Sequence, residues 1–231
     1  MIETLALPVR IQLDPAPERA AHGPWRGEAE AAWRVRCAAH PGLFNGEIFL
    51  VTSIHEGVIS GFFEEYLIWA HRAALLAHGV QLTALGVSGL TRCRDGSTVL
   101  ARRGAGMLDL PGVWELTPAG GLDRDALVDG AIEPERVLRK ELAEELNLEA
   151  TAIRRLERHM LVLDHRSRVL DLVIRVDLDL DRSGVVERFA TRATDEAQDL
   201  AFVTAEEPGP LGCEGDRVDR LVRHVLSGWQ R

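Results

Sequence analysis

Lys140-Glu141-Leu142-Ala143-Glu144-Glu145-Leu146-Asn147-Leu148 is the stretch that organises the reading of this chain, and Thr117-Pro118-Ala119-Gly120-Gly121 lies a short way upstream. The spacing predicts a helix that begins at Pro134, whose missing N–H is harmless in a first turn, and runs to Leu146. Its apolar side is Val137, Leu138, Leu142 and Leu146. On that helix Glu141, Glu144 and Glu145 stand at i, i+3 and i+4, so three carboxylates share one face. Like charges so placed cost a helix about 0.2–0.5 kcal/mol per pair. A cluster of oxygen donors is reasonable if a hard divalent cation such as Mg²⁺ or Mn²⁺ sits among them. A solvated helix face is the plainer explanation for any one of these glutamates, less so for the trio behind a Pro-Ala-Gly-Gly loop.

The combination resembles the Nudix box. Its usual form is Gly, five residues, Glu, seven residues, Arg-Glu, an aliphatic, any residue, Glu-Glu, any residue, Gly and an aliphatic. The second half matches, with Lys140 in place of the Arg and Asn147 in place of the Gly. Asn tolerates the left-handed backbone that ends a helix, so that change is mild. Lys140 keeps the charge and loses the planar two-bond fork of an arginine. The first half departs further. Ile132 stands where the family has its first Glu, and ten residues rather than five, Leu122 to Ala131, separate Gly121 from it. In the family that first Glu braces the Arg, while the later three hold metal.

The resemblance implies a fold and a chemistry. The expected fold is α+β, a Nudix-type α/β/α sandwich with a mixed sheet over residues 81–231, preceded by an α/β extension over residues 1–80. In several relatives such an extension supplies a homodimer interface or part of the substrate pocket. The expected chemistry is metal-dependent hydrolysis of the diphosphate linkage of a nucleoside diphosphate derivative, such as a nucleotide sugar or an ADP-ribose-like compound. Glu141, Glu144 and Glu145, with the carbonyl of Gly120, become the expected ligands of Mg²⁺ or Mn²⁺, and Glu144 and Glu145 catalytic groups. Arg102 and Arg103 fall where many relatives place an arginine near the diphosphate, although a surface role fits them as well in an arginine-rich chain. Trp114 is either a base-stacking platform or a core aromatic. Asp195-Glu196 sits in the late loop that supplies a general base in several relatives, and Glu196 is the candidate; His159 and His165 are read as structural or exposed.

Composition sets bounds on this reading. The net charge of −9 over 231 residues disfavours non-specific binding to nucleic acid or anionic membranes. An anionic substrate must then be met by local arginines and a metal. Lys140 is the only lysine among the 27 basic residues. Cys37, Cys93 and Cys213 are widely spaced, without a Cys-x-x-Cys pair, which argues for reduced thiols in a cytoplasm and against zinc or a disulfide framework. No apolar run is long enough for a transmembrane helix, and a basic start followed by an apolar core is not seen at the N-terminus.

Along the chain, strands are expected at Leu5–Leu13, Ile48–Ile54, Leu82–Thr91, Thr98–Arg102 and Val113–Thr117. Further strands follow at Ile153–Leu163, Val169–Leu180 and Leu200–Val203. Asp95-Gly96 is a strong hairpin signal between the fourth and its predecessor. Helices are expected at Pro24–Ala39, Phe63–Ala77 and Asp216–Leu226, with a turn at Leu43-Phe44-Asn45-Gly46 and a division near Gly79. Two other functions stay open. An isomerase like isopentenyl-diphosphate isomerase shares the fold but needs a Cys after the Trp, and Thr117-Pro118-Ala119 carries none. A catalytically silent Nudix-fold ligand sensor is the other.

Overall fold

In the computed structural model, residues 1–8, 10–14, 23–40, 42–107, 110–192, 194, 196–213 and 217–227 are described. The chain opens with strands β1 (Ile2–Leu5) and β2 (Arg10–Leu13), helix α1 (Arg26–Ala39), strands β3 (Glu47–His55) and β4 (Val58–Glu65), and short helices α2 (Tyr66–Ala70) and α3 (Arg72–Leu75). Next come β5 (Ala84–Arg92), β6 (Thr98–Arg103), β7 (Trp114–Leu116), β8 (Ala119–Gly121), β9 (Leu127–Val128), β10 (Ala131–Ile132) and helix α4 (Pro134–Leu146). The last elements are β11 (Ile153–Asp164), β12 (Val169–Leu178), α5 (Arg182–Phe189), β13 (Ala197–Val203) and α6 (Arg220–Leu226).

Eleven strands form one mixed sheet whose main path is β1-β11-β12-β5-β3-β4-β2, with β6, β7, β8 and β13 attached beside β5. The central pair, β5 and β12, is parallel from Val169↔Ala84 to Asp177↔Arg92. Alternation along β12 explains the layers. Leu170, Leu172, Ile174, Val176 and Leu178 pack in one cluster with Val137, Leu138, Leu142 and Leu146 of α4 and Val185 of α5. Val173 belongs to a second cluster with Leu116 and with Val222, Val225 and Leu226 of α6. The sheet is therefore sandwiched between helices, and the chain is an α+β protein of α/β/α layering. Truncating a fully buried residue at the α4 seam, such as Leu142, carries an expected loss of about 2–5 kcal/mol.

Residues of the first 80 add strands to both edges of this sheet. β1 pairs antiparallel with β11, and β3 joins β5 through Leu50↔Ala84 before β4 and β2 extend that edge. A third cluster, Ala29 and Trp33 of α1, Leu67 and Ile68 of α2 with Leu50 and Ala84, covers this end. Gly79 ends the helical stretch at φ +73°, a left-handed backbone that suits glycine.

Several elements differ from the sequence expectations. Phe63 is not helical: Val58–Glu65 is a strand paired with β3 in the register Phe49↔Phe63, across a turn in which Glu56 and Gly57 both have positive φ. The helix starts only at Tyr66, where the Asn45 side chain accepts from the Leu67 N–H at 2.9 Å. The expected strand Leu5–Leu13 is two strands, with residue 9 outside the described residues. The last helix begins at Arg220, capped by Asp219, and Asp216 lies outside the described residues. Helix α5 was not expected; Asp181 caps it, accepting from the Gly184 N–H at 2.9 Å.

Candidate active site

Helix α4 has the predicted limits, from Pro134 to Leu146, and ends at Asn147 in the left-handed conformation, φ 53° and ψ 40°. The Asn147 and Leu148 N–H groups return to the carbonyls of Ala143 and Leu142 at 3.1 and 3.0 Å. This closure fixes the last turn, and with it the direction of Glu144 and Glu145.

The three glutamates sit in three different environments. Glu145 is buried, 5% exposed, and accepts from the Thr117 hydroxyl at 2.9 Å and from the Ala119 N–H at 3.1 Å. Burial holds its pKa well above the usual carboxylate range, against the lowering effect of the Ala119 N–H. Glu141 is half-buried; burial, then the charges of Glu144 and Glu196, push its pKa up to about 7. Glu144 is exposed. Helix α4 thereby ties the Thr117–Gly121 loop to its carboxylate face through side-chain and backbone donors.

Gly120 explains the glycine of that loop. A Cβ at this position would stand 2.8 Å from Cδ of Glu141, a distance real Cβ atoms do not tolerate. The carboxylate lies directly on the glycine backbone. Gly120 also lines a cleft of about 850 Å³, which none of the three glutamates lines; the carboxylate face and the cleft share the backbone of β8.

The cleft wall carries its own ionisable groups. Arg103 donates from Nη1 to both carboxylate oxygens of Glu115, at 2.9 and 2.8 Å. Even so, burial pushes Glu115 up to about 7. Asp171 accepts from the Ser88 hydroxyl at 3.1 Å, and burial pushes it, too, up to about 7. Asp219 is raised by burial, with Asp164 adding to it. Asp164 is bound by Arg220 at 2.9 and 3.0 Å. Ile48, Tyr66, Trp69 and Arg72 complete the wall, so residues of the first 80 line the same cleft as the loop of Gly120.

Lys140 turns away from the cleft. It donates to Asp125 at 2.8 Å and to Asp123 at 3.2 Å, both in the lengthened loop, and the bond to Asp125 is the chief reason its pKa is raised. That loop is ordered by Asp123 accepting from the Asp125 N–H at 3.0 Å, by a helical turn at Arg124–Ala126 and by the β9–β10 pair. Ile132, at the position of the family's first Glu, is buried in the core beneath α4. A pairing of Lys140 with Glu144 is not what forms; two aspartates ten or more residues upstream take the lysine instead.

The remaining predicted residues are spread around this centre. Arg103 is on the cleft wall, whereas Arg102, one residue earlier and so on the other face of β6, is exposed. Trp114 is 7% exposed and packs with Leu100, Val222 and Val225 in the cluster beneath α6, the core role rather than a stacking face. Glu196 is exposed just before β13, close enough to raise both Glu141 and Glu115 by its charge. Its carbonyl accepts from the Gly104 N–H at 2.6 Å. Asp195 lies outside the described residues. Sequence reasoning missed Glu115, Asp171 and Asp219; their only sequence signal is an acidic residue inside or just after an otherwise apolar run.

Among the described residues no three Asp, Glu, His or Cys side chains converge as a ready ligand set. The donor chemistry nonetheless suits a hard cation. Glu141 is held on bare glycine backbone beside the negative charges of Glu144 and Glu196, and Lys140 is committed elsewhere. Excess negative charge of this kind, on oxygen donors alone, is what Mg²⁺ or Mn²⁺ neutralises.

No family model matches the chain, and neither does any curated protein. Among solved structures it is similar to a protein of Deinococcus radiodurans, at 15% identity over 64% of this chain and 83% of that one, with a TM-score of 0.47. It is also similar to a MutT protein of Methanosarcina mazei, at 18% identity over 64% and 92%, TM-score 0.41. An ADP-ribose pyrophosphatase of Streptococcus suis aligns at 18% identity over 58% and 98%, TM-score 0.35. The functional argument rests on the residues themselves.

Proposed function

We propose that this chain is a metal-dependent diphosphohydrolase of the Nudix kind, cleaving the diphosphate linkage of a nucleoside diphosphate derivative such as a nucleotide sugar or ADP-ribose. The observation that supports this reading best is Glu141 lying on the backbone of Gly120, a glycine that also lines the cleft. Glu141, Glu144 and Glu145, with the Gly120 carbonyl, would hold Mg²⁺ or Mn²⁺, which lowers the pKa of water and polarises a phosphoryl oxygen.

The chain's own groups have separable tasks in this scheme. Thr117 and the Ala119 N–H orient Glu145. Arg103, fixed by Glu115, presents guanidinium N–H groups to phosphate oxygens at the cleft wall. Glu196 is the base candidate, taking a proton from the attacking water. Tyr66 offers aromatic surface to the organic part of the substrate, which gives residues 1–80 a share in the pocket of the 81–231 domain. No described helix is long and apolar enough to cross a membrane.

The test is a panel of nucleotide sugars, ADP-ribose, dinucleoside polyphosphates, NADH, coenzyme A and nucleoside triphosphates, each with Mg²⁺ and Mn²⁺, followed by phosphorus NMR. Metal-dependent appearance of nucleoside monophosphate supports the proposal. Absence of turnover together with absence of any metal-induced rise in melting temperature rejects it. A silent ligand sensor is the second reading, favoured by the unconverged donors among the described residues; it is left standing if compounds bind and none is cleaved.

A further inference from the structure

A second cavity, of about 380 Å³, opens beside the cleft between the helices of the first 80 residues and the β11–β12 turn. Its wall carries Arg36, Arg72, Arg166 and Arg168, and no Asp or Glu. In a chain of net charge −9 that is an unusual concentration of one sign. Among the described residues none of the four forms an ion pair with a carboxylate. The partners of their side chains are neutral: Arg36 donates to the Ala70 carbonyl at 2.8 Å, and Arg72 to the Ser167 and Trp69 carbonyls, both at 3.3 Å. Arg72 is also stacked 4.0 Å above the Trp69 ring, which fixes its plane.

Arg168 is the most telling of the four. Its Nη2 donates to the Thr83 hydroxyl at 2.6 Å, while its Nε is buried with no acceptor among the described residues. Buried donors are almost always paired, so this one calls for an explanation. The residue also holds a left-handed backbone, φ 60°, disfavoured for arginine, and its carbonyl is pinned by the Ala84 N–H at 3.1 Å. Guanidinium forks oriented by neutral partners, with like charges gathered and no carboxylate to offset them, are suited to a tetrahedral oxyanion.

We infer that this cavity is a binding site for a phosphate group, separate from the carboxylate face of α4. Arg72, Arg166 and Ser167 line both this cavity and the cleft, so the two are contiguous. The phosphate belongs either to the far end of a substrate lying in the cleft, which rests on the proposed hydrolase function, or to a free phosphate compound, which does not.

Calorimetric titration of inorganic phosphate and pyrophosphate into the metal-free full chain, at low salt and neutral pH, tests the site without any turnover. Saturable binding is expected, weakened about tenfold or more in Arg168→Gln and in Arg36→Gln, since a charged hydrogen bond is lost in each. Arg139→Gln, an exposed change of equal charge on α4, and Glu144→Gln should not weaken it. Circular dichroism and melting check that each variant folds, and Arg36→Gln carries the test if Arg168→Gln does not. Failure of phosphate to saturate, or an equal loss in Arg139→Gln, overturns the inference. The source is separated with whichever compound of the panel is cleaved. A raised KM at constant kcat in Arg168→Gln, with phosphate competing, assigns the site to the substrate; an effect of phosphate on kcat without competition assigns it to a free ligand. If nothing in the panel is cleaved and metal brings no rise in melting temperature, the hydrolase proposal fails while the calorimetric result stands.

Discussion

Glu141 lies against Gly120 so closely that a Cβ on residue 120 would approach its Cδ to 2.8 Å. The two residues come from different elements, α4 and β8, and the contact sets the carboxylate face of α4 against the β8 backbone. Gly120→Ala is therefore expected to displace Glu141 without unfolding the chain, because residue 120 is half-buried on β8 and what meets its Cβ is a movable side chain. A misplacement of about 1 Å at a catalytic centre costs on the order of 10²-fold in rate. Turnover and metal titration of Gly120→Ala should both show the loss. An alanine enzyme within about twofold of the parent would mean that the contact is incidental.

Glu144→Gln and Glu145→Gln should each abolish metal-dependent activity while the fold survives, for different reasons. Glu144 is exposed, so its amide variant merely removes a ligand charge and some repulsion toward Glu141. Glu145 is buried with its pKa raised by desolvation, so a neutral side chain of the same shape suits that site in the absence of metal. The metal-free Glu145→Gln protein is expected to melt no lower than the parent, and to lose the rise in melting temperature that Mg²⁺ or Mn²⁺ brings. A normal metal-induced rise in the double variant would show that the ion binds elsewhere.

The raised carboxyls give the metal-free protein a definite pH dependence. For an acid whose native pKa lies above its unfolded value, the native state binds more protons, and stability falls as pH rises from the unfolded pKa to the native one. For Glu141 that window runs from about 4.3, the ordinary glutamate value, up to about 7. The loss is complete above it and amounts to a few kcal/mol at most, since each unit is worth about 1.4 kcal/mol. Glu141→Gln removes the contribution. Its melting temperature relative to the parent should climb across that window and level off above it, in metal-free buffer. A flat difference would show that Glu141 titrates normally.

How much of this was legible in the sequence depended on whether a signal was local. The limits of α4, the left-handed Asn147 and the Asp95-Gly96 hairpin were legible because each is set by residues within one turn of the chain. Strand β4 was missed because Phe63 and Tyr66 fit helical spacing as well as a strand, and the Glu56-Gly57 turn that decides the matter lacks an Asn or Asp before its glycine. Glu115, Asp171 and Asp219 were missed for another reason. Parallel pairing of β5 with β12 and the docking of α6 bring them to one wall from positions far apart in the chain, and no local pattern encodes that. The same holds for Lys140, whose partners Asp123 and Asp125 are supplied by a loop longer than the family's.

That Lys140 pairing should matter modestly. Lys140 and Asp125 are 39% and 58% exposed, and exposed ion pairs contribute about 0.2–1 kcal/mol. Lys140→Arg is expected to be neutral, since a fork can reach both aspartates. Lys140→Ala should lower stability by no more than about 1 kcal/mol in a denaturant titration. A loss several times larger would mean that the loop depends on this lysine for its order.

Glu196 carries the last prediction. It is exposed just before β13, its carbonyl fixed by the Gly104 N–H, and its charge is felt by both Glu141 and Glu115. A carboxylate so placed, near Glu141 of α4 and Glu115 of the cleft wall, suits a base that takes the proton of an attacking water. A positioned base contributes about 10²–10⁴-fold. Glu196→Gln should lower kcat within that range and leave KM and the metal-induced rise in melting temperature nearly intact, because Gln keeps the size and the hydrogen-bonding reach but cannot accept the proton. Removing this charge should also bring the Glu141 pKa down, readable by carbon NMR of the side-chain carboxyl. The two readouts part the alternatives. A lower Glu141 pKa with kcat within about twofold of the parent would leave Glu196 a purely electrostatic neighbour, and the base would be sought among Glu141, Glu144 and Glu145.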